Sequence, residues 1–146
     1  MYLKFRPYLF EFLELMSEKF ELVVFCSGSE MYCASVLDDI EHCRKYFSYR
    51  IYNDHVLFEN SQYSIKDYDI LFSNGRTTDN TIIVEHKILA FCMKVFNGVL
   101  VKYFSATSSK QDNELIYLAK YLEELNAQPS VCKYIGDTIR LSMFKN

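Results

Sequence analysis

The chain has 146 residues, which fits one domain, and a domain of this size buries about two thirds of the surface that its unfolded chain exposes. Half of the residues are hydrophobic, 12 are Tyr and 12 are Phe, while only 4 Gly and 2 Pro occur, so the composition excludes collagen and argues against disorder. The formal net charge is -3 and no long run of Lys and Arg occurs, which argues against nucleic acid as the main partner.

The first half of the chain predicts two helices around a strand. After Pro7, apolar residues recur at helical spacing until about Lys19. The run "LVVFC" (Leu22 to Cys26) is all apolar and of strand length, which is typical of a central parallel strand. A second helix is expected from about residue 29 to residue 39. The stretch "YRIYNDHVLF" (residues 49–58) predicts a strand followed by a turn, or a small hairpin.

The second half predicts further strands and two helices. The stretch "SIKDYDIL" (residues 64–71) indicates a short strand or a loop. Two β-branched apolar runs, at residues 81–86 and 98–104, predict strands. Helices are expected at about residues 112–125 and 130–143, on either side of Pro129. Strands that alternate with helices predict βαβ units and a parallel sheet.

The turn "CSGS" (Cys26 to Ser29) allows two interpretations. Anionic ligands gather where parallel strands end, because loop amides and helix N-termini point there with unpaired donors. The turn therefore suits a phosphate. Alternatively, it merely connects a core strand to a helix, with Ser29 as the N-cap, and the stretch by itself favours this second interpretation.

Cysteine usage and hydropathy indicate an intracellular protein. The five cysteines form no C-x-x-C pair, which predicts reduced thiols, a reducing compartment and no structural zinc. Two basic residues interrupt the apolar N-terminus, so no signal peptide is expected. The most membrane-like segment, residues 88–104, contains two lysines and an asparagine, and no direct membrane span is expected. The nucleus, the cytoplasm and a mitochondrion-related organelle remain open.

Four stretches, taken in order, carry a family resemblance. They are "KFRPYLFEFLELMSEKFELVVFCSGSEMYCASVLD", "YFSYRIYNDH", "YSIKDYDIL" and "TIIVEHKILAF". In order and spacing, over nearly the whole chain, they resemble the homology domain of the RNA polymerase II C-terminal-domain phosphatases, which belongs to the haloacid dehalogenase superfamily. This family also includes the presequence-receptor subunit of the mitochondrial inner-membrane translocase.

The resemblance implies a fold and a missing part. The fold is a single α/β domain over residues 1–146, three-layered and Rossmann-like, with a parallel sheet, helices on both faces and a small β-hairpin insertion. Because "MYLKFRP" begins just after the point where the family's first strand and its D-x-D-x-T motif finish, we expect the domain to be N-terminally incomplete, with its first central strand missing. In the family one aspartate of that motif attacks phosphorus and the other is the general acid and base, so no catalytic residue is expected in this chain.

The other family motifs map onto three places in the sequence. Motif two reads "FCSGS", where Cys26 occupies the position of a hydroxyl and a thiol is a weaker donor. Motif three is Lys66, which would lie beside the phosphate as a point charge; without the resemblance it reads as a solvated surface lysine. Motif four is "IIVEH", with Glu85 at the metal-ligand position, one methylene longer than the usual aspartate and followed by His86, a poor magnesium ligand. The resemblance thus implies a phosphate-binding remnant of Cys26, Ser27, Gly28 and Lys66, and a degenerate metal position at Glu85.

Three functions follow as expectations. The first is a pseudophosphatase that binds a protein or peptide without catalysis, as in the translocase receptor. The second is a magnesium-dependent protein serine/threonine phosphatase that works through an aspartyl-phosphate, with the nucleophile on a missing N-terminal segment. In the third, another chain supplies the missing strand. No cofactor is expected for this chain, and Mg²⁺ would be needed only by a complete, active form.

Overall fold

A computed structural model describes residues 3–60 and 62–143, which form two compact units. The first unit contains residues 3–57 and Phe104–Ala119, and the second contains Phe58–Tyr103 and residues 120–143. Among the described residues, no helix is both long enough and apolar enough to cross a membrane.

The first unit has a helix–strand–helix–strand order. Helix α1 (Leu9–Ser17) precedes strand β1 (Leu22–Phe25), and helix α2 (Glu30–Ile40) connects β1 to strand β2 (Phe47–Ile51). The two strands are parallel, with Val23 opposite Tyr49 and Phe25 opposite Ile51, and the register shifts after Leu22. This βαβ unit confirms the parallel arrangement that the alternating pattern predicts.

An ionic clamp fixes the start of the chain within the first unit. Arg6 donates from Nε to Oδ1 of Asp112 at 3.0 Å and from Nη2 to Oδ2 at 2.8 Å, and both side chains are largely shielded from solvent. The Arg6 guanidinium also lies over the Phe104 ring, 5.4 Å from its centroid. The bidentate geometry makes this the stronger kind of ion pair and ties residues before α1 to the segment after residue 103.

A second clamp joins α2 to β2. Oε1 of Glu41 accepts hydrogen bonds from the backbone amides of Tyr46 and Phe47, at 2.5 and 2.8 Å, and Oε2 accepts from Arg50. Burial by itself raises the pKa of Glu41, but the amides and the guanidinium outweigh it, so that the pKa lies below its usual value. The Glu41 carboxylate therefore helps to hold the connection between the helix and the next strand, together with Asp38, which pairs with Arg50 at 2.7 Å.

The predicted strand over residues 49–58 divides into two. A 3-10 turn at Asn53–His55 separates β2 from strand β3 (Val56–Glu59). Strand β3 is paired with strand β4 (Ser64–Lys66), in agreement with the predicted small hairpin.

The second unit is built on another parallel pair. Strand β5 (Ile83–Glu85) pairs with strand β6 (Gly98–Leu100), and Glu85 lies opposite Leu100. The connection between them is not a regular α-helix but a 3-10 segment, Ile88–Asn97, that kinks at Phe91 and Lys94.

Two close contacts hold the segment Ile88–Asn97 in place. The buried amide of Asn97 donates to the backbone carbonyls of Thr78 and Thr81, at 2.6 and 2.8 Å, and so fixes the loop before β5. The ring of Phe91 packs directly against Gly98, where a Cβ would lie only 2.0 Å from it. The strand pair is thus positioned by contacts that leave little free space.

Two long helices complete the chain, α3 (Glu114–Asn126) and α4 (Val131–Met143). The fold is mixed α/β with small parallel sheets, and the described residues form three sheets of two strands each. In β1 all four residues are only half-buried, and in β5 the side chain of Val84 is 42% exposed although its neighbour Val99 is 8% exposed. Both strands are therefore less buried than the apolar sequence of a central strand predicts.

Candidate functional site

The carboxyl end of β5 is occupied by a compact charge network. Oε2 of Glu85 accepts a hydrogen bond from Nζ of Lys66, at the end of β4, at 2.6 Å. Oε1 accepts from the backbone amide of His86 at 2.9 Å and lies 2.9 Å from Nδ1 of the same residue. Lys66 is only 7% exposed, so it is not the solvated surface lysine that its sequence context suggests. The structure therefore brings together the two residues assigned to motifs three and four.

The surroundings keep the Glu85 carboxyl ionised. Burial by itself raises the pKa of Glu85, but the charge and hydrogen bond of Lys66 and the His86 amide outweigh burial, so the pKa lies below its usual value. Tyr68, which is also buried, shows the opposite effect: burial first, and then the negative charge of Glu85, raise the pKa of its hydroxyl. The end of β5 thus holds a carboxylate with a lowered pKa, 2.6 Å from Nζ of Lys66.

His86 lies at the solvent-facing side of this network. Its ring is 5.3 Å from the ring of Tyr103, and both side chains are exposed. Because Nδ1 faces the Glu85 carboxylate, the imidazole is oriented with Nε2 pointing away from it. Within the ranges that the structure describes, Nε2 makes no hydrogen bond, so an incoming polar group can contact it.

The two aspartates that follow Lys66 make contacts outside this network. Oδ1 of Asp67 accepts the backbone amide of Asp69 at 3.0 Å, which starts the 3-10 turn Asp69–Leu71. Asp69 in turn pairs with Lys94 at 2.7 Å. Among the described residues, no group of three or more His, Cys, Asp or Glu side chains is arranged to hold a metal ion.

The turn after β1 belongs to the first unit. The backbone amide of Cys26 donates to the carbonyl of Ile51 at 2.8 Å, which extends the β1–β2 pairing by one residue. Cys26 and Ser27 are half-buried and Gly28 is exposed. A Cβ on Gly28 would lie 2.9 Å from Sγ of Cys33, so the turn passes close to the first turn of α2.

The hydroxyls of this turn are not used for capping. Ser29 lies at the N-cap of α2 in an extended conformation, but its side chain makes no capping hydrogen bond, so the N-cap position is confirmed and the side-chain cap is not. The Ser27 hydroxyl has no partner among the residues described. The turn therefore presents two hydroxyls without a capping role beside the N-terminus of α2, whereas the phosphate-binding role of Cys26, Ser27 and Gly28 stays a prediction.

Sequence reasoning identified the members of the network and missed their pairing. Lys66 and Glu85 are separated by 19 residues, and neither lies in a local pattern that indicates an ion pair. It also missed Tyr68 as a buried neighbour of Glu85. The motif order was the only available indication, because motifs three and four converge on one phosphate in the family that the sequence resembles.

Comparisons with known proteins agree with the resemblance. The family model of the NLI interacting factor-like phosphatases matches residues 1–132. The chain is 30% identical to CTD small phosphatase-like protein 2 of Dictyostelium discoideum, over 97% of this chain and 24% of that protein. It is also 30% identical to the human carboxy-terminal domain RNA polymerase II polypeptide A small phosphatase 2, over 93% of this chain and 48% of that protein.

A third relative has a different printed role. The chain is 27% identical to the mitochondrial import inner membrane translocase subunit TIM50 of Candida albicans, over 85% of this chain and 25% of that protein. The chain thus spans between about a quarter and about a half of the length of these three relatives. The match of the family model to most of the sequence shows that the chain belongs to the NLI interacting factor-like phosphatase family, within the haloacid dehalogenase superfamily.

Proposed function

We propose that this chain is a non-catalytic phosphatase-like module that binds a protein or a peptide. The observation that carries the proposal is the engagement of both carboxylate oxygens of Glu85, one by Lys66 and the other by His86. Lys66 already neutralises this carboxylate, so it attracts a catalytic metal ion less strongly than an uncompensated carboxylate would. The sequence of 146 residues also contains no D-x-D-x-T motif to supply a nucleophile and a general acid.

The experiment measures binding and turnover on the same peptides. Phosphoserine peptides, their unphosphorylated forms and a basic amphipathic peptide are titrated against the chain by fluorescence anisotropy, and released phosphate is measured with Mg²⁺ present. We expect saturable binding of at least one peptide and no release of phosphate above the protein-free control. Magnesium-dependent release, or no binding of any peptide, would contradict the proposal.

Variants test whether the predicted phosphate-binding remnant contributes to the affinity for phosphoserine peptides. Ser27→Ala removes one hydroxyl and is expected to weaken that affinity about fivefold, the equivalent of one hydrogen bond. Ser48→Ala, at an exposed position in β2, is the matched control and should leave it unchanged. Lys66→Arg keeps the charge and changes its shape, with exposed Lys110→Arg as its control.

The second candidate function is a magnesium-dependent protein serine/threonine phosphatase. The printed names of two relatives above favour it, since both are called phosphatases. It requires a nucleophile from a further segment of the protein. The phosphate-release assay is therefore repeated on the longest form isolated from the source cells, with its intact mass measured. Turnover that depends on an aspartate of that further segment would replace the first proposal.

A missing central strand is part of the same proposal. Among the described residues, β1–β2 and β5–β6 are two-stranded sheets, so each strand has one open edge, and the half-buried apolar residues of β1 support a further strand alongside it. The strand belongs either to a longer form of this protein or to another chain, and it would complete a three-layer sheet. A concentration-dependent dimer, measured by sedimentation, supports donation between chains, whereas a monomer that unfolds cooperatively at all concentrations contradicts it.

A further inference from the structure

The two halves of helix α4 differ in their exposure to solvent. In the first half Val131, Ile135 and Gly136 are buried, whereas every residue of 137–143 is exposed. The exposed half is not uniformly polar, since Ile139 is 38% exposed and Met143 is 72% exposed. The apolar side of α4 therefore continues past the point where the second unit stops covering it.

These two side chains belong to an apolar patch that continues onto the segment before β6. Ile139 and Met143 follow Gly136 by three and seven residues, so they share its face of the helix. A Cβ at Gly136 would lie 3.6 Å from the ring of Phe96, and 43% of Phe96 is exposed. Phe96, Ile139 and Met143 thus form one surface, called here the α4 patch, and contiguous apolar patches mark interaction sites.

The charges beside the α4 patch indicate what covers it. Asp137 and Arg140 are both exposed, and neither makes an ion pair or a side-chain hydrogen bond within residues 3–60 and 62–143. They lie three residues apart and therefore on one side of the helix. A second α4 that runs antiparallel matches them, because a two-fold axis midway between the two residues places each Asp137 opposite the Arg140 of the other copy.

We propose that the α4 patch is covered by a second copy of this chain, in an antiparallel pairing of residues 137–143 about a two-fold axis. Met143 of one copy lies within a helical turn of Gly136 of the other, where its sulfur meets the exposed Phe96 ring, a favourable kind of contact. A patch of three large side chains falls short of the roughly 800 Å² per partner that stable complexes bury. The dimer is therefore weak and forms reversibly as concentration rises.

The test is charge reversal, read out by sedimentation equilibrium of the full chain at low ionic strength. Asp137→Arg and Arg140→Asp each place like charges opposite one another, so each should raise the Kd of the dimer about tenfold. The double variant Asp137→Arg with Arg140→Asp restores opposite charges across the axis and should recover most of the affinity. An equimolar mixture of the two single variants should likewise dimerise better than either one alone. Lys110→Glu, at an exposed position of the first unit, is the control and should leave the Kd unchanged.

The native chain provides a measurement that needs no variant. Both charge pairs are exposed and are screened by salt, so the Kd of the native dimer should rise with NaCl concentration. A chain that stays monomeric at its highest soluble concentration would overturn the proposal. So would a dimer that neither reversal weakens, since copies that join through an open strand edge do not use α4. A double variant that dimerises no better than the single ones would also overturn it, because the two charges would then not face each other.

Discussion

The contact between Phe91 and Gly98 predicts a large loss of stability in Gly98→Ala. A Cβ at this position would lie 2.0, 2.2 and 2.8 Å from three ring carbons, whereas ordinary contacts are 3.4–4 Å. The ring must therefore retreat by at least about 1.4 Å. Phe91 is only 3% exposed, so its ring cannot move without displacing neighbouring side chains. Overpacking of this kind costs about 2–3 kcal/mol, or roughly 6–12 °C in Tm for a chain of this length.

The matched control is a buried glycine of the same unit. Gly136 lies inside α4, and a Cβ there would be 3.6 Å from the Phe96 ring, an ordinary contact. Gly136→Ala should therefore leave stability unchanged or raise it by about 0.5–1 kcal/mol, since alanine favours helix. Both variants are compared by urea unfolding and by calorimetry. Equal effects of the two substitutions, or an unchanged Tm in Gly98→Ala, would refute the packing described for this segment.

A compensating substitution separates crowding from backbone effects. Phe91→Leu in the Gly98→Ala background removes part of the ring that the new methyl group meets, so it should recover some of the lost stability. In the native background the same substitution opens a cavity and should cost about 1–3 kcal/mol. If Phe91→Leu is equally destabilising in both backgrounds, crowding is not the cause.

Three further predictions concern charged and polar groups. Lys66→Met and Glu85→Gln should each lower the free energy of unfolding in urea by about 3 kcal/mol, because each removes the opposite charge from a partly buried one. The double variant should lose clearly less than the sum of the two, and strictly additive losses would contradict the pairing. Folding lowers the pKa values of Glu41 and Glu85, so the stability that they contribute is complete above the unfolded value near 4.5 and is lost as pH falls through the folded values. Glu41→Gln should therefore make the free energy of unfolding depend less on pH in this acidic range. An unchanged pH dependence would argue against the contacts described for Glu41. Asn97→Leu should cost about 2–3 kcal/mol because it leaves two carbonyls of the loop before β5 without their donor, while Asn53→Ala, on an exposed turn, should be nearly neutral in the same assay.

The sequence predicted the regular elements of the fold well. The helix expected at residues 29–39 is observed at Glu30–Ile40, and the strand expected at Leu22 to Cys26 is observed at Leu22–Phe25. These segments have unbroken apolar patterns over several residues, and such patterns decide local structure because burial of one face stabilises it. The kinked 3-10 segment Ile88–Asn97 was not predicted, since nothing in its run of apolar residues marks the kinks at Phe91 and Lys94.

The sequence predicted which residues belong to the candidate site but not how they contact one another. Lys66 and Glu85 were assigned through family motifs, but their burial and contact depend on how β4 and β5 come together in space. The same holds for Glu41, whose carboxylate reaches the amides of Tyr46 and Phe47 across a turn. Side-chain contacts between separate elements leave no periodic trace in a single sequence, and they are the part that the structure adds.

The buried pair of Lys66 and Glu85 has an evolutionary consequence. Substituting one partner alone leaves the other charge partly buried without its counter-charge, which destabilises the fold, whereas substituting both is much less destabilising. Replacement of the pair by uncharged residues therefore passes through an unstable single substitution. A lineage that no longer needed the chemistry would therefore keep both residues for stability alone. In proteins of this kind, a lysine and an acid at these positions indicate an inherited fold and do not by themselves indicate that catalysis survives.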